Sequence, residues 1–260
     1  MSDFDRNYAL RGAGTDRAVA VDEGLRAYMI RVYNYMAIGV ALTGVVAWLS
    51  FQLAGGDAIV MAGRTISGLT PFGQLIFSFP GQLVLFFATL GLVMYVSWRI
   101  DRLSPAAAFS LFLVYAALVG VFISSIFVVY THASVTRVFF ISAAAFGGLS
   151  LWGYTTKRDL TAMGTFLRMG LIGLIIAILV NMLLVAFGVS TGPLDFIISC
   201  IGVLIFAGLT AYDTQKIKEM YHEMDDGTIA GRKAVMGALT LYLDFINLFL
   251  FLLRLLGDRR

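Results

Sequence analysis

The chain has 260 residues, of which 59% are hydrophobic and only 13% are charged. A water-soluble domain carries about 25% charged residues, so this composition excludes an ordinary soluble globular protein and indicates a membrane protein. The formal net charge of +3 does not indicate a nucleic-acid partner, because most basic residues lie in predicted loops and tails, where they set orientation in the membrane. The single cysteine, Cys200, excludes a disulfide within the chain and a Cys/His metal cluster.

The first 31 residues mix acids and bases and contain no apolar run. A cleaved signal peptide needs an apolar core, so this segment is not predicted to be one. We expect residues 1–31 to form a flexible, cytoplasmic N-terminal tail.

Seven apolar stretches follow the tail, and each is long enough for a membrane-spanning helix, which needs about 20 mostly apolar residues. Ser104-Pro105 begins the third stretch, because proline suits the first turn of a helix. The segment before the second stretch contains two prolines and is predicted to be an interfacial loop. The sequence therefore predicts an all-α polytopic membrane protein, with a transmembrane domain over residues 32–257 and a C-terminal tail at 258–260. The predicted spans are 32–56, 81–98, 104–130, 138–156, 169–188, 193–213 and 234–257.

Lysine and arginine are distributed unevenly between the two sides of the predicted domain. If the N-terminus is inside, fourteen of them lie in the tail and the three loops on that side, whereas the opposite loops hold only Arg64 and Arg137. Cytoplasmic loops carry the excess of basic residues, so we expect a cytoplasmic N-terminus. The side of the C-terminus stays open: the basic residues after position 253 favour a re-entrant last segment, whereas the length of 234–257 favours a span.

Two aspartates lie at membrane depth near the cytoplasmic side. Asp213 ends the sixth predicted helix, and Asp244 lies ten residues into the seventh. A charged side chain at the centre of a bilayer costs roughly 2.5–3.5 kcal/mol, so Asp244 is expected to face the protein interior. If the two helices pack together, the carboxyl groups meet, and carboxylates in contact tend to share a proton. Such a pair can report pH, and when ionised it attracts a transient Ca²⁺ ion, which prefers oxygen ligands.

Other polar side chains extend this candidate site. Asn247 lies three residues beyond the seventh-helix aspartate, and Asn181 lies in the fifth helix, so both are candidates for a polar pathway. Arg99 and Arg102 end the second helix on the same side as the sixth-helix aspartate. Either arginine is therefore a candidate latch that holds that aspartate while it is ionised.

Each of these residues also has a purely structural interpretation. Asp213 would then be the solvated end of its helix, with Lys216 as its partner three residues on. The two arginines would anchor the helix at the membrane surface, and Asn181 would link helices by a hydrogen bond. Asp195, at the outer end of the sixth helix, is expected to be interfacial.

Three stretches also carry a resemblance to a known family: "GGLSLWGYTTKRDLTAMGTFLRMGLIGLIIA" (147–177), "LTAYDTQKIKEMY" (209–221) and "LYLDFINLFLFLLRLLG" (241–257). The chain resembles the transmembrane Bax inhibitor motif family, in its bacterial branch, over about residues 30–257. The resemblance implies seven helices, with the last at the centre and wrapped by the other six. It also implies location in a bacterial inner membrane.

Members of that family are described as pH-sensitive calcium leaks whose sensor is an aspartate pair, matched here by Asp213 and Asp244. An arginine of helix two locks the helix-six aspartate in the closed state, and Arg102, or else Arg99, matches it. Some members also place an acid in helix two, but residues 81–98 contain none, which puts that part of the ion pathway in doubt.

The leading expectation is therefore a monomeric calcium leak rather than an enzyme, with Ca²⁺ as transported ion, protons as effector and no tightly bound cofactor. A second hypothesis is a regulatory membrane protein that binds a membrane-bound protease or quality-control complex, with residues 1–31 as the binding segment. A third is an intramembrane aspartyl protease. It is disfavoured because Asp244 lies in "LYLDF" and not in the G-x-G-D of that class.

Overall fold

A computed structural model describes residues 23–59 and 66–260 in full, and only the backbone of residues 3–22, 60–62 and 65. A short antiparallel pair, β1 (Val60–Ala62) and β2 (Thr65–Ser67), follows the first helix. Single turns of 3₁₀ helix cover Gly56–Ala58 and Ile100–Arg102. The α-helices are α1 (Asp3–Ala54), α2 (Pro71–Phe77), α3 (Phe79–Arg99), α4 (Pro105–Ile123), α5 (Ile126–Val129), α6 (His132–Thr155), α7 (Thr161–Ala186), α8 (Gly192–Glu219) and α9 (Gly227–Leu256).

Within the described residues, seven helical segments are long and apolar enough to cross a membrane, in agreement with the predicted number. The protein is an integral, multi-pass, all-α membrane protein. The segments are Glu23–Ala54, Phe79–Arg102, Pro105–Val129, His132–Thr155, Thr161–Ala186, Gly192–Glu219 and Gly227–Leu256.

Most observed helices extend beyond the predicted spans, whereas the third, predicted over 104–130, covers Pro105–Val129 and is divided into α4 and α5. The fifth begins at Thr161 and not at 169, so Arg168 lies inside a helix and not in a loop. Residues 1–22 of the predicted tail lie outside the fully described part, and residues 23–31 already belong to α1. The physical reason is that charged residues end an apolar run in the sequence but do not end a helix that continues into the headgroup region.

Side-chain caps begin several of these helices. The Ser104 hydroxyl accepts a hydrogen bond from the Ala107 amide at 3.2 Å, directly before the proline that starts α4, as the sequence indicates. Asp226 accepts from the Ile229 amide at 2.7 Å and begins α9. Such caps satisfy amide groups that lack a partner within the helix.

The last helix, α9, is the central one, but it packs mainly against four helices and not six. These are α1, α4, α6 and α8, whereas α3 packs on α4 and α7 packs on α8 as an outer layer. The central position of the last helix is therefore confirmed, with four helices in close contact with it and the other two outside them. The Tyr242 side chain of α9 is fully buried, and its hydroxyl lies 2.7 Å from the Thr43 hydroxyl of α1. Thr43 in turn donates to the Ala116 carbonyl of α4 at 2.9 Å, so three helices meet there.

Two glycines set the position of α8, the helix that carries Asp213. A Cβ atom at Gly153 of α6 would lie 2.2 Å from the Ala211 carbonyl oxygen, so the backbones of α6 and α8 are in contact. A Cβ atom at Gly164 of α7 would lie 2.3 Å from the Tyr212 ring, which packs against the α7 backbone. Small residues allow this close approach of helices in a membrane.

The C-terminal residues pack at the end of the bundle opposite the basic loops. The Arg260 amide donates to the Val129 carbonyl at 2.9 Å, and its guanidinium lies 3.1 Å from the Asp57 carboxylate. His132 also lies 3.0 Å from Asp57. Hydrogen bonds from His132 and Arg260 lower the pKa of Asp57 below its usual value. The seventh helix therefore spans the bundle, and the re-entrant alternative is wrong.

Candidate functional site

The structure brings the two membrane-depth aspartates together. Asp244, near the middle of α9, is only 4% exposed, whereas Asp213 of α8 is half-buried. Their carboxyl groups lie within hydrogen-bonding reach of each other. Asp213 is six residues from the end of α8 at Glu219, or about 9 Å at 1.5 Å per residue, so the pair lies near the end with the basic loops.

One oxygen of this pair is unusual. The Oδ2 atom of Asp244 is buried and has no hydrogen-bond partner among the described residues. An ionised carboxyl group can only accept hydrogen bonds, so two facing carboxylates bond to each other only when one of them holds a proton. A buried polar atom without a partner is costly, and proteins rarely keep one without a functional reason. The Oδ2 atom of Asp244 can be satisfied by a proton or by a cation.

Two basic side chains lie in the neighbourhood of Asp213, and among the described residues neither forms an ion pair with it. Lys216 lies three residues further along α8, and Arg168 belongs to α7, which packs on α8. The Arg168 guanidinium donates to the Tyr212 hydroxyl and lies 5.0 Å from the centroid of the Tyr212 ring. Sequence analysis placed Arg168 in a loop and missed this role. The signal in the sequence was that Arg168 is the one charged residue within the stretch that forms α7.

The two predicted latch arginines lie elsewhere in this structure. Arg99 ends α3, and Arg102 ends the 3₁₀ turn that follows it. Because α3 packs on α4 in the outer layer, it is kept away from α8. Within the described part of the chain, neither arginine forms an ion pair with Asp213 or Asp244.

The two predicted pathway asparagines do not join the aspartates. The Asn247 amide donates at 2.8 Å to the Leu243 carbonyl one turn earlier in its own helix. The Asn181 amide donates at 2.6 Å to Asp195 in the first turn of α8. This second bond links α7 to α8, which agrees with the structural interpretation of Asn181 as an interhelical link.

A chain of hydroxyl groups links α1, α6 and α8. The Tyr33 hydroxyl lies 2.7 Å from the Ser150 hydroxyl of α6, which lies 2.9 Å from the Thr214 hydroxyl of α8. Thr214 directly follows Asp213 in the chain. Hydroxyl groups both donate and accept, so this chain joins the three helices, and it ends at the Thr210 carbonyl, to which Thr214 donates at 2.7 Å.

The carboxyl pair is the candidate cation site by its chemistry. Among the described residues, no group of three or more His, Cys, Asp or Glu side chains is placed to hold a metal ion. A site with two carboxylates and few other ligands suits a passing hard cation better than a tightly bound one.

Comparison of the sequence with known proteins identifies a family of membrane proteins. The family model "Inhibitor of apoptosis-promoting Bax1" matches residues 25–260. The inner membrane protein YbhL of Escherichia coli K12 is 44% identical over 249 residues, covering 95% of this chain and 97% of that protein. An uncharacterized protein of Rickettsia prowazekii is 44% identical over 246 residues, covering 95% of each chain. An uncharacterized membrane protein of Streptococcus pyogenes is 35% identical over 240 residues, covering 91% of this chain and 94% of that one. The chain belongs to the Bax inhibitor family.

Proposed function

We propose that this protein is a pH-sensitive calcium leak channel gated by Asp213 and Asp244. The observation that carries the proposal is the buried, unpartnered Oδ2 atom of Asp244 beside a second carboxyl group. Ionisable residues inside a membrane protein are costly, and they commonly mark ion pathways and proton relays.

The gate works through the charge on the pair. A shared proton bonds the two carboxyl groups and removes their mutual repulsion. When ionised, Asp213 is attracted to Lys216 and Arg168, and the pair presents oxygen ligands to Ca²⁺. Protonation of the pair weakens the attraction between Asp213 and Arg168 of α7, so acid is expected to loosen α8 from α7 and to increase the leak. In this mechanism Ca²⁺ is the transported ion, and no tightly bound cofactor takes part.

The proposed orientation places the N-terminus in the cytoplasm. Nine of the 19 lysine and arginine residues lie in the loops that join α3 to α4, α6 to α7 and α8 to α9, or within two helical turns of them, at one end of the bundle. The C-terminus lies at the other end. Alkaline phosphatase fused after Arg260 would then be active in the bacterial periplasm, and a fusion in the α8–α9 loop would be inactive. The reverse pattern would refute this orientation.

The test of the proposed function is Ca²⁺ flux into proteoliposomes of purified protein from pH 5 to pH 8. Wild-type protein is expected to leak with a pH midpoint, and Asp213→Asn or Asp244→Asn is expected to remove the pH dependence. Asp101→Asn, at an exposed aspartate in the α3–α4 turn, is the matched control and is expected to behave as wild type. If no protein conducts more than empty liposomes at any pH, the channel proposal fails.

A channel does no chemistry on its substrate, so we also propose that the protein is not an enzyme. We further propose that it acts as a monomer. Turnover of a transmembrane peptide that depends on Asp244 would overturn the first statement. If flux is absent, capture of a membrane-bound protease by full-length protein, but not by protein lacking residues 1–22, would favour the regulatory alternative.

A further inference from the structure

A long apolar cleft runs between α1 and α6, with α9 as its floor. It consists of a cavity of about 860 Å³ in the half near the basic loops and one of about 590 Å³ in the opposite half. Both cavities are lined by Val40, Phe139 and Phe245, so they meet near the middle of the bundle. Each has the size of a small-molecule binding site, which is roughly 300–1,000 Å³.

The cleft opens sideways, towards the space that lipid occupies. Two of its lining side chains, Ile30 of α1 and Leu151 of α6, are 49% and 63% exposed on its rims. Gly147 of α6 lines the larger cavity, and a Cβ atom there would have nothing within 4 Å. The chain therefore leaves open space inside the membrane, and the bilayer is the medium in contact with it.

The ends of the cleft differ in charge. Arg26 is the one charged side chain among the described residues that line the larger cavity, and it lies at the mouth of that cavity. Lys218 adds a second positive charge nearby, since its ammonium group donates to the carbonyl of Tyr154, which also lines this cavity. The opposite cavity ends at Asp57 and His132, and the bases at that end, His132 and Arg260, already pair with the Asp57 carboxylate. An anionic headgroup fits the end with Arg26 and not the end with Asp57.

The geometry points to a binding site for one phospholipid: we propose that the larger cavity holds an acyl chain of an anionic phospholipid whose phosphate pairs with Arg26. From Arg26 to Val40 the cavity follows α1 for 14 residues, or about 21 Å. One leaflet contributes about 15 Å of hydrocarbon, so the cavity is long enough for the chain and for the glycerol region above it. With the proposed orientation, this phospholipid belongs to the cytoplasmic leaflet. The inference rests on the proposed function for that orientation alone and does not depend on ion conduction.

A lipid chain fits this cleft better than a helix of a second protein. Tyr33 and Ser150 line the cavity on opposite walls, and their hydroxyl groups bridge the walls at 2.7 Å. A chain of methylene groups can lie along such a bridge. A helix about 10 Å wide cannot enter between walls that are joined there.

The test is photo-crosslinking of the full chain in vesicles of phosphatidylcholine with a small fraction of phosphatidylglycerol that carries a diazirine on one acyl chain. Labelled peptides are mapped by mass spectrometry. We expect label on Met36 and Phe146, which line the cavity and are only 7% and 6% exposed, because lipid at the outer surface does not reach them. Label confined to the exposed faces of α3 and α7 would mean surface lipid only and would overturn the proposal.

Two neighbouring glycines provide a matched pair of variants. Gly147→Leu fills the cavity, whereas Gly148→Leu makes the same change in the same helix at a position that does not line it and is equally open. We expect the first to reduce cleft labelling about tenfold, since a filled site excludes the chain, and the second to leave it unchanged. Equal labelling in both variants would refute the site, and so would cleft crosslinks to a second copy of the protein.

Arg26→Gln tests the headgroup. A basic residue near the membrane surface contributes to anionic-lipid binding, and its loss is expected to reduce the preference for phosphatidylglycerol over phosphatidylcholine about fivefold. An unchanged preference would show that Arg26 does not hold a phosphate. Crosslinking does not require Ca²⁺ flux, so a failed flux experiment leaves this result unaffected.

Discussion

Replacing Asp244 by asparagine is expected to stabilise the protein while it removes the gate. The side chain is 4% exposed and its Oδ2 atom has no partner among the described residues, so the wild-type site is energetically poor. An amide at this position can donate to the Asp213 carboxylate, and a hydrogen bond to a charged group contributes about 1.5–3 kcal/mol. For a protein of this size a stability change of 1 kcal/mol shifts Tm by about 2–4 °C, so Tm is expected to rise by roughly 3–12 °C at pH 8.

The shift should depend on pH. At pH 5 the wild-type pair is proposed to hold a shared proton, which already bonds the two carboxyl groups, so the same variant should gain less than about 3 °C. Thermal unfolding in detergent micelles, followed by circular dichroism at both pH values, measures the difference. Asp101→Asn is the control for a loss of one negative charge at an exposed position. The reasoning fails if the Asp244 variant is less stable than wild type at pH 8, or if its shift is the same at pH 5.

Three further predictions concern the scaffold. Gly153→Ala places a Cβ atom 2.2 Å from the Ala211 carbonyl and forces α6 and α8 apart, so it should destabilise the protein by about 1–3 kcal/mol in thermal unfolding. A double-mutant cycle of Thr43→Val and Tyr242→Phe should give a coupling energy of about 0.6 kcal/mol, typical of hydrogen bonds between membrane helices. Asp57→Asn at neutral pH should reduce the protection of the amides of residues 258–260 against hydrogen exchange, relative to the intrinsic rate at that pH, and wild type should lose this protection only below about pH 4.

The direction of the last effect follows from the lowered pKa of Asp57. A carboxyl group with a lower pKa in the folded state stabilises that state fully above its unfolded-state pKa. This stabilisation is lost as the pH falls through the folded-state pKa. Protection at the C-terminus that is lost instead between pH 8 and pH 6, after correction for the intrinsic rate, would contradict this assignment. For the glycine prediction, Gly148→Ala is the control, because a Cβ atom there meets open space; an equal loss of stability in both variants would contradict close packing as the cause.

Much of the candidate site could be predicted from residue type and depth along the helices. Asp213 and Asp244 stand out because each acid in an apolar helix needs a protein environment. The basic partner of Asp213 could not be chosen in this way. Arg99, Arg102 and Arg168 all lie at the same depth near the basic loops, and depth does not tell which helices are neighbours. The packing of α7 on α8 brings Arg168 to Tyr212, the residue next to Asp213, whereas α3 packs on α4.

The sequence by itself determined that the chain lies in a membrane, how many times it crosses, and which polar residues lie at membrane depth. Hydropathy carries this information, because the free energy of moving about 20 residues from water into a bilayer depends on their composition and hardly on the helices around them. Only the tertiary structure decided that α9 packs on four helices, that the two aspartates meet, and that α1 and α6 leave a cleft between them. The helices are apolar on most of their circumference, so no hydrophobic stripe selects the buried face. That choice rests on close contacts between helices, such as the one at Gly153, and these depend on the shapes of surfaces far apart in the sequence.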